Sequence, residues 1–213
     1  MSTPKGYRGA MNVSMPKHSD LIKKLHRINK DGEDILKKTV CDFKSRAPAW
    51  VSAAVSETYG IPKSEVKNAF AGTKKSASRI KVAGNEIDNV GLVYSGRRLT
   101  PTHFKMKPAN PPSKKGVPYQ ISAEFFKGKR QRLSSRAFLI PIRFRGESGK
   151  EEIKSLPFQR KGKGRWAIKT IRTLSIPQML TNKTVAAAVQ EDINAGLGKR
   201  VEHHMSQALK RNE

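Results

Sequence analysis

The feature that most constrains the fold is an alternation of apolar and polar residues between positions 97 and 172. In two segments every second residue is apolar, which is typical of strands that bury one face only. These apolar residues are Tyr119, Ile121, Ala123 and Phe125 in the first segment, and Phe138, Ile140, Ile142 and Phe144 in the second. The alternation predicts a sheet with one face on a core.

Short loops join the segments of this region, which predicts antiparallel strands. We place strands at 118–126, 136–145, 150–160 and 166–175, and two earlier ones at 76–82 and 89–94. Pro141 cannot donate a ladder hydrogen bond, so its strand should lie at an edge or contain a bulge. The sequence therefore predicts one antiparallel sheet of about five or six strands.

Helices should precede and follow these strands in the sequence. Apolar residues recur at three- and four-residue steps from position 19 to about 45, which predicts one long helix. Pro48 should begin a second helix, Pro62 a third that ends at Gly72, and Asn182 or Thr184 should cap the last. We predict an α+β fold: a mobile basic arm at 1–18 and a single domain at 19–213, helical over 19–72, mainly β over 76–175, with a C-terminal helix over 182–211.

Positive charge dominates the composition. The chain has 43 Lys and Arg against 17 Asp and Glu, a formal charge of +26. Residues 97–165 hold 19 of these cations and 4 Glu, a net charge of +15. Such an excess implies a polyanionic or acidic partner, and flexible cations with few aromatics favour contact with a phosphate backbone. Solubility, or docking to acidic protein faces, remains an alternative.

The candidate contact residues lie mainly in two loops, 127–132 and 160–165. As a hypothesis, nucleic acid or an acidic partner is contacted by Lys127, Lys129, Arg130, Arg132, Lys161, Lys163 and Arg165, together with Arg97, Arg98, Lys114 and Lys115.

Motifs for other kinds of chemistry are absent from the sequence. Gly162 and Gly164 lack the third glycine of a dinucleotide site, and the adjacent His203 and His204 diverge by about 100° on a helix. We therefore expect no enzyme activity, no cofactor and no metal site. The single Cys41 should be a small core residue, and the lack of a long apolar run predicts neither a signal peptide nor a membrane span.

The segment Tyr94–Met106, YSGRRLTPTHFKM, resembles a signature of the minor tail protein Z family of long-tailed bacteriophages, also called tail completion proteins. Similar family features follow in order at Tyr119–Arg130, Ala137–Ile140 and Leu174–Leu180, and Arg46–Val51 precedes them. The number of basic residues in the loops departs from the family pattern.

This resemblance implies a virion structural protein at the head-proximal end of the tail or neck, made in the host cytoplasm. It would complete the tail for head-tail joining and DNA positioning. The implied partners are the tail terminator, the head-tail connector and the tail tube, with possible contact to genomic DNA and no membrane. The family forms rings, so a homo-oligomer is expected, with a hexamer favoured and a dodecamer possible. The residues also allow a sequence-independent nucleic-acid-binding protein.

Overall fold

A computed structural model describes residues 6–13, 19–27, 30–72, 76–114, 116–145, 151–162 and 167–210. The fold is α+β, as predicted. Within these ranges the helices are α1 (Ser19–Arg27), α2 (Lys30–Thr58), α3 (Lys63–Ala71), α4 (Ile176–Thr181) and α5 (Lys183–Leu209). The strands are β1 (Tyr7–Asn12), β2 (Ser78–Ala83), β3 (Gly91–Gly96), β4 (Ser122–Phe126), β5 (Lys129–Arg132), β6 (Ala137–Arg145), β7 (Glu151–Arg160) and β8 (Ile168–Thr170).

The core is built around the contact between α2 and α5. Each helix presents a stripe of apolar residues at four-residue steps, and these stripes are fully buried. The residues are Phe43, Ala47, Val51 and Val55 on α2, and Val189, Ile193, Leu197 and Val201 on α5. Cys41 lies off the stripe and is exposed, so its prediction as a core residue is wrong.

The predicted long N-terminal helix is two helices. A Cβ on Gly32 of α2 would lie 2.1 Å from the carbonyl oxygen of Leu25 in α1, so the two helices approach closely at this glycine. Conversely, the helix break predicted at Pro48 is wrong, because α2 continues through it to Thr58. Proline in a helix costs about 3 kcal/mol. Burial of Ala47 and Val51 on either side offsets that cost.

Two local signals were predicted at the right places. Gly72 ends α3 with a φ of 62°, and the Asn182 side chain accepts a hydrogen bond from the N–H of Thr184 at the start of α5. The short α4 was not predicted. It begins with a capping box in which Ser175 and Gln178 each accept a hydrogen bond from the other's backbone N–H.

The first sheet has the strand order β1-β3-β2 and is antiparallel. Its strand β1 pairs from Tyr7↔Gly96 to Asn12↔Gly91, so residues 7–12 of the predicted mobile arm are ordered as an edge strand. The arm differs from its prediction here because Met11 packs on the core and Val13 is buried, with the Val13 N–H donating to the carbonyl of Val90. Residues 1–5 and 14–18 lie outside the described residues.

The remaining strands form two further antiparallel sheets, with orders β4-β5 and β6-β7-β8. The prediction of a single sheet of five or six strands is therefore wrong. The reason is local: residues 129–132, predicted as part of a loop, fold back on β4 as β5 and make a separate hairpin. The described residues of the proline-rich loop, 108–114 and 116–118, form no strand that could join this hairpin to the first sheet.

Pro141 lies on the edge strand β6, as its missing N–H predicted. The N–H of Leu139, two residues earlier, points away from β7 and donates to the Tyr119 hydroxyl at 2.9 Å. The backbone nitrogen of Pro141 points to the same outward side, so the lack of an N–H removes no ladder hydrogen bond to β7. Pro157, which pairs with Leu139, likewise faces away from β6, and its carbonyl accepts from the Ile171 N–H.

Candidate polyanion-binding surface

The hairpin formed by β4 and β5 carries the most cation-rich segment of the described chain. Ala123 of β4 and Ile121 just before it are buried, and they fix this side of the strand on the core. Gly128, with a φ of 75°, allows the tight turn that returns the chain as β5. All four residues of β5 are exposed, and three of them are Lys or Arg.

Contacts with the end of α2 hold this hairpin in place. The N–H of Gly60 donates to the Phe125 carbonyl at 3.1 Å, and the N–H of Lys127 donates to the Thr58 carbonyl at 3.0 Å. The rings of Tyr59 and Phe126 stack with centroids 5.3 Å apart. The hairpin is therefore anchored at the end of α2 through β4 and the first residue of its turn.

The predicted cations Lys127, Lys129, Arg130 and Arg132 all lie on this hairpin and are exposed. Arg130 is oriented, because its guanidinium donates to the Lys105 carbonyl at 3.1 Å and to the Ser122 hydroxyl at 3.4 Å. The structure thus brings this first predicted set together on one element.

Glu124 is the carboxylate of this hairpin. Its Oε1 accepts from the N–H of Gly128 at 3.0 Å and from Nζ of Lys105 at 3.3 Å. The hydrogen bond from Gly128, with a smaller contribution from Lys105, holds the pKa of Glu124 below its ordinary value. The carboxylate is therefore ionised at neutral pH and occupied by these two donors.

Sequence reasoning missed two further cations, Lys105 and Lys107. Lys107 pairs with Ser122 through two backbone hydrogen bonds of 2.8 Å, which places this segment beside β4. Nothing local in the sequence indicates this pairing, because it joins residues fifteen positions apart across the proline-rich loop. We call the combined set the cationic hairpin surface: Lys105, Lys107, Lys127, Lys129, Arg130 and Arg132. With Glu124 its formal charge is +5.

The second predicted loop is described only in part. Lys161 is exposed and its N–H donates to the Ala167 carbonyl at 2.7 Å, whereas Lys163 and Arg165 lie outside the described residues. The end of β7 contacts the segment after β5, where Gln159 Nε2 donates to the Ser134 hydroxyl at 3.4 Å.

The other predicted cations lie elsewhere. Arg97 and Arg98 are exposed where β3 ends, in the first sheet, and the Arg97 N–H donates to the Ala77 carbonyl. Lys114 is exposed in the proline-rich loop, and Lys115 lies outside the described residues. The structure therefore does not show these residues joining the cationic hairpin surface.

Two polar clusters contain none of the residues of this surface. Asp42 of α2 accepts hydrogen bonds from Arg200 Nε and, at 2.9 Å, from His204 Nε2 of α5. Glu65 of α3 lies 3.2 Å from Nδ1 of His103, and this bond lowers the pKa of Glu65. Among the described residues, no three His, Cys, Asp or Glu side chains are grouped as metal ligands.

In comparisons with known proteins, no family model, no curated protein and no solved structure matches the chain. Within the described part of the chain, no helix is both long and apolar enough to cross a membrane.

Proposed function

We propose that this protein acts by binding a polyanion at the cationic hairpin surface and catalyses no reaction. The observation that carries the proposal is the arrangement of six exposed cations around a single carboxylate that is already occupied. Anchoring of the hairpin on α2 supports it, because cations held in place lose less conformational entropy when they bind phosphates or carboxylates.

The setting we propose is the head-proximal end of a bacteriophage tail, where the protein completes the tail for head-tail joining. The resemblance of its motifs to the tail completion proteins is the support for this setting. Two of those motifs contribute directly to the surface: Tyr94–Met106 contains Lys105, and Tyr119–Arg130 contains most of the hairpin. The proposed neighbours are the tail terminator, the head-tail connector and the tail tube.

A ring of subunits would concentrate a large positive charge in one assembly. Six copies of a chain that carries +26 would bring a formal charge of +156 to one assembly. Such a ring would repel itself unless genomic DNA or acidic faces of neighbouring rings neutralised it. We therefore propose that the hexamer, or a dodecamer, is stable only with its polyanionic partner, and that its assembly weakens as salt rises.

The test reverses three hairpin charges in the phage that carries the gene, with Lys127→Glu, Lys129→Glu and Arg132→Glu combined. These residues are exposed, so the monomer should fold. We expect tails that fail to join heads, or heads whose DNA end is not positioned. Normal infectivity of this variant would overturn the proposal.

A matched control removes the same charge elsewhere. Lys38→Glu, Lys67→Glu and Lys81→Glu change three exposed residues on α2, α3 and β2. Because the net charge of the two triple variants is equal, normal infectivity of the control assigns a joining defect to the hairpin itself.

The second candidate is a free nucleic-acid-binding protein, which the three cations on the four residues of β5 also favour. Filter binding separates the two candidates. A free binder should hold duplex DNA tightly as a monomer, with an affinity that falls steeply with salt. A tail protein should bind duplex DNA weakly until it is assembled.

A further inference from the structure

A second cationic site lies in the cleft between α2 and α5. The helices run antiparallel along this contact, because Asp42 meets Arg200 and His204, whereas Trp50, eight residues further along α2, lies against Gly196. The cleft has a volume of about 520 Å³. The side chains that line it are Arg46 and Trp50 from α2, and Asp192, Lys199, Arg200 and His203 from α5.

Small residues on α5 make room for the cleft. A Cβ on Gly196 would lie 2.2 Å from Cζ2 of Trp50, so the indole packs directly on the backbone of α5. Trp50 is only half-buried, and it lines the cleft with the part that remains exposed. The cleft therefore has an apolar wall.

Cations surround this wall. Arg46 and Lys199 are exposed, and no ion pair joins them to a carboxylate among the residues that the structure describes. Arg200 is fixed in position because its Nε donates to Asp42, which leaves its two Nη nitrogens as donors for a ligand. Together with Asp192, these three cations sum to a formal charge of +2 with His203 neutral, and Asp42, which accepts from Arg200, reduces it to +1.

The geometry points to a nucleotide-binding site in this cleft, with the phosphate between Arg46, Lys199 and Arg200 and the base or sugar against Trp50. A guanidinium fork and an ammonium group suit phosphate oxygens, and an indole suits a base. The volume is in the range of ligand sites, about 300–1,000 Å³, and exceeds what a lone phosphate needs. This site goes beyond the proposed function, since no residue of the cationic hairpin surface takes part in it.

The nucleotide has two possible sources: a free mononucleotide, or one unit of a nucleic-acid strand. The second would connect this cleft with the cationic hairpin surface. Thr58, which holds the hairpin, lies eight residues beyond Trp50 on α2, a distance of about 12 Å along the helix. A strand of a few nucleotides can span this distance.

Tryptophan fluorescence provides a local readout, because the chain contains only Trp50 and Trp166. In a Trp166→Phe background the emission reports Trp50 alone. The full chain in this background is titrated with inorganic phosphate, with adenosine monophosphate and with a single strand of eight thymidines. We expect a saturable change in emission with the mononucleotide, and a Kd for inorganic phosphate at least about tenfold higher, because phosphate cannot contact the indole.

Two sets of variants test the lining residues. Arg46→Glu combined with Lys199→Glu should raise the Kd for the mononucleotide at least about tenfold. Asp192→Asn should lower it about threefold, because it removes a negative charge from the cleft. This second variant predicts a gain of affinity, which a folding defect cannot imitate.

The outcomes separate this site from the hairpin. The triple variant Lys127→Glu, Lys129→Glu and Arg132→Glu should bind the mononucleotide as the parent does, whatever happens to its polyanion binding. Tighter binding of the oligonucleotide than of the mononucleotide would support a strand as the source, and equal binding would support a free nucleotide. Any of three results would overturn the proposal. The emission shows no saturable change with any probe, or inorganic phosphate and the mononucleotide bind with equal affinity, or the reversals of Arg46 and Lys199 leave the Kd unchanged.

Discussion

At the scale of single residues, Asp42 accepts hydrogen bonds from Arg200 and His204 where α2 and α5 meet. Burial raises the pKa of Asp42, but the hydrogen bonds from Arg200 and His204 outweigh it and lower the pKa below the ordinary value of 3.8. A carboxyl group with a lowered folded pKa stabilises the fold in full above its unfolded pKa. This stabilisation is lost as the pH falls through the folded value.

Asp42→Asn should therefore lower the free energy of unfolding at pH 7 by about 1–3 kcal/mol, because it removes the charge-assisted hydrogen bond from Arg200 and weakens the one from His204. The difference from the parent should shrink as the pH falls below about 4. Urea unfolding at several pH values measures it. Glu202→Gln removes an exposed carboxylate from α5 and should change stability by no more than about 0.5 kcal/mol. A constant difference between Asp42→Asn and the parent from pH 7 to pH 3 would contradict this account.

Gly60, two residues after the end of α2, lies against the backbone of the hairpin. A Cβ there would lie 1.9 Å from the carbonyl oxygen of Glu124, and this obstacle is backbone. We expect Gly60→Ala to destabilise the protein by at least about 2 kcal/mol through forced backbone shifts. Gly162 has no neighbour within 4 Å of the added Cβ, so Gly162→Ala serves as the control. Thermal melting compares them, and equal melting temperatures of the two variants would show that the approach at Gly60 is not tight.

The sequence predicted which cations are exposed, but not which cations lie next to one another in the fold. Lys127 and Arg132 are exposed as expected, because Lys and Arg so close in sequence cannot all be buried. Lys105 and Lys107 were missed, since their position beside β4 depends on a pairing across the proline-rich loop. Local pattern carries no information about such a pairing.

At the scale of secondary structure, the hairpin of β4 and β5 is the element on which the proposed function depends. Period-two alternation predicted β4 and β6. The predicted face of the first segment is confirmed, since Ile121 and Ala123 are buried. The predicted face of β6 is wrong: its buried residue is Leu139, whereas Phe144 on the predicted face is 40% exposed, because β6 is an edge strand and rests only partly on the core. The alternation could not predict β5, since all four of its side chains are polar and exposed. Only the turn at Gly128 and the pairing with β4 make this segment a strand.

Phe126→Ala tests how the hairpin is anchored. The change removes the stacking partner of Tyr59, and aromatic pairs contribute about 0.5–1.5 kcal/mol beyond their buried area. We expect faster hydrogen exchange across β4 and β5 and weaker polyanion binding, although no charge has changed. Phe144→Ala is a matched control, because the two rings are 39% and 40% exposed and Phe144 lies on β6. If both variants exchanged and bound alike, the stack would have no part in positioning the cations.

At the scale of the whole molecule, charge and fold were predictable to different degrees. The α+β class follows from apolar periodicity that changes from helical to alternating and back along the chain. The division of the strands into three sheets does not, because it depends on loop paths and on β1, whose Gly and polar residues carry little strand signal. The excess of +26 is a property of composition alone.

The consequence of that excess is also a property of the whole molecule. A chain with this charge repels itself when compact, and a bound polyanion relieves the repulsion wherever it binds. Affinity for DNA by itself is therefore weak support for a specific surface. The distribution of the charge must matter, and not only its sum.

The most direct measurement is the affinity for a fluorescent duplex DNA as a function of salt, for the parent and the two triple variants of equal net charge. Reversal of Lys127, Lys129 and Arg132 should weaken binding and flatten the slope of log K against log salt by about one for each phosphate that the hairpin no longer neutralises. Reversal of Lys38, Lys67 and Lys81 should leave the slope near that of the parent. An equal decrease of affinity in both variants would contradict the account, because net charge alone would then explain the binding.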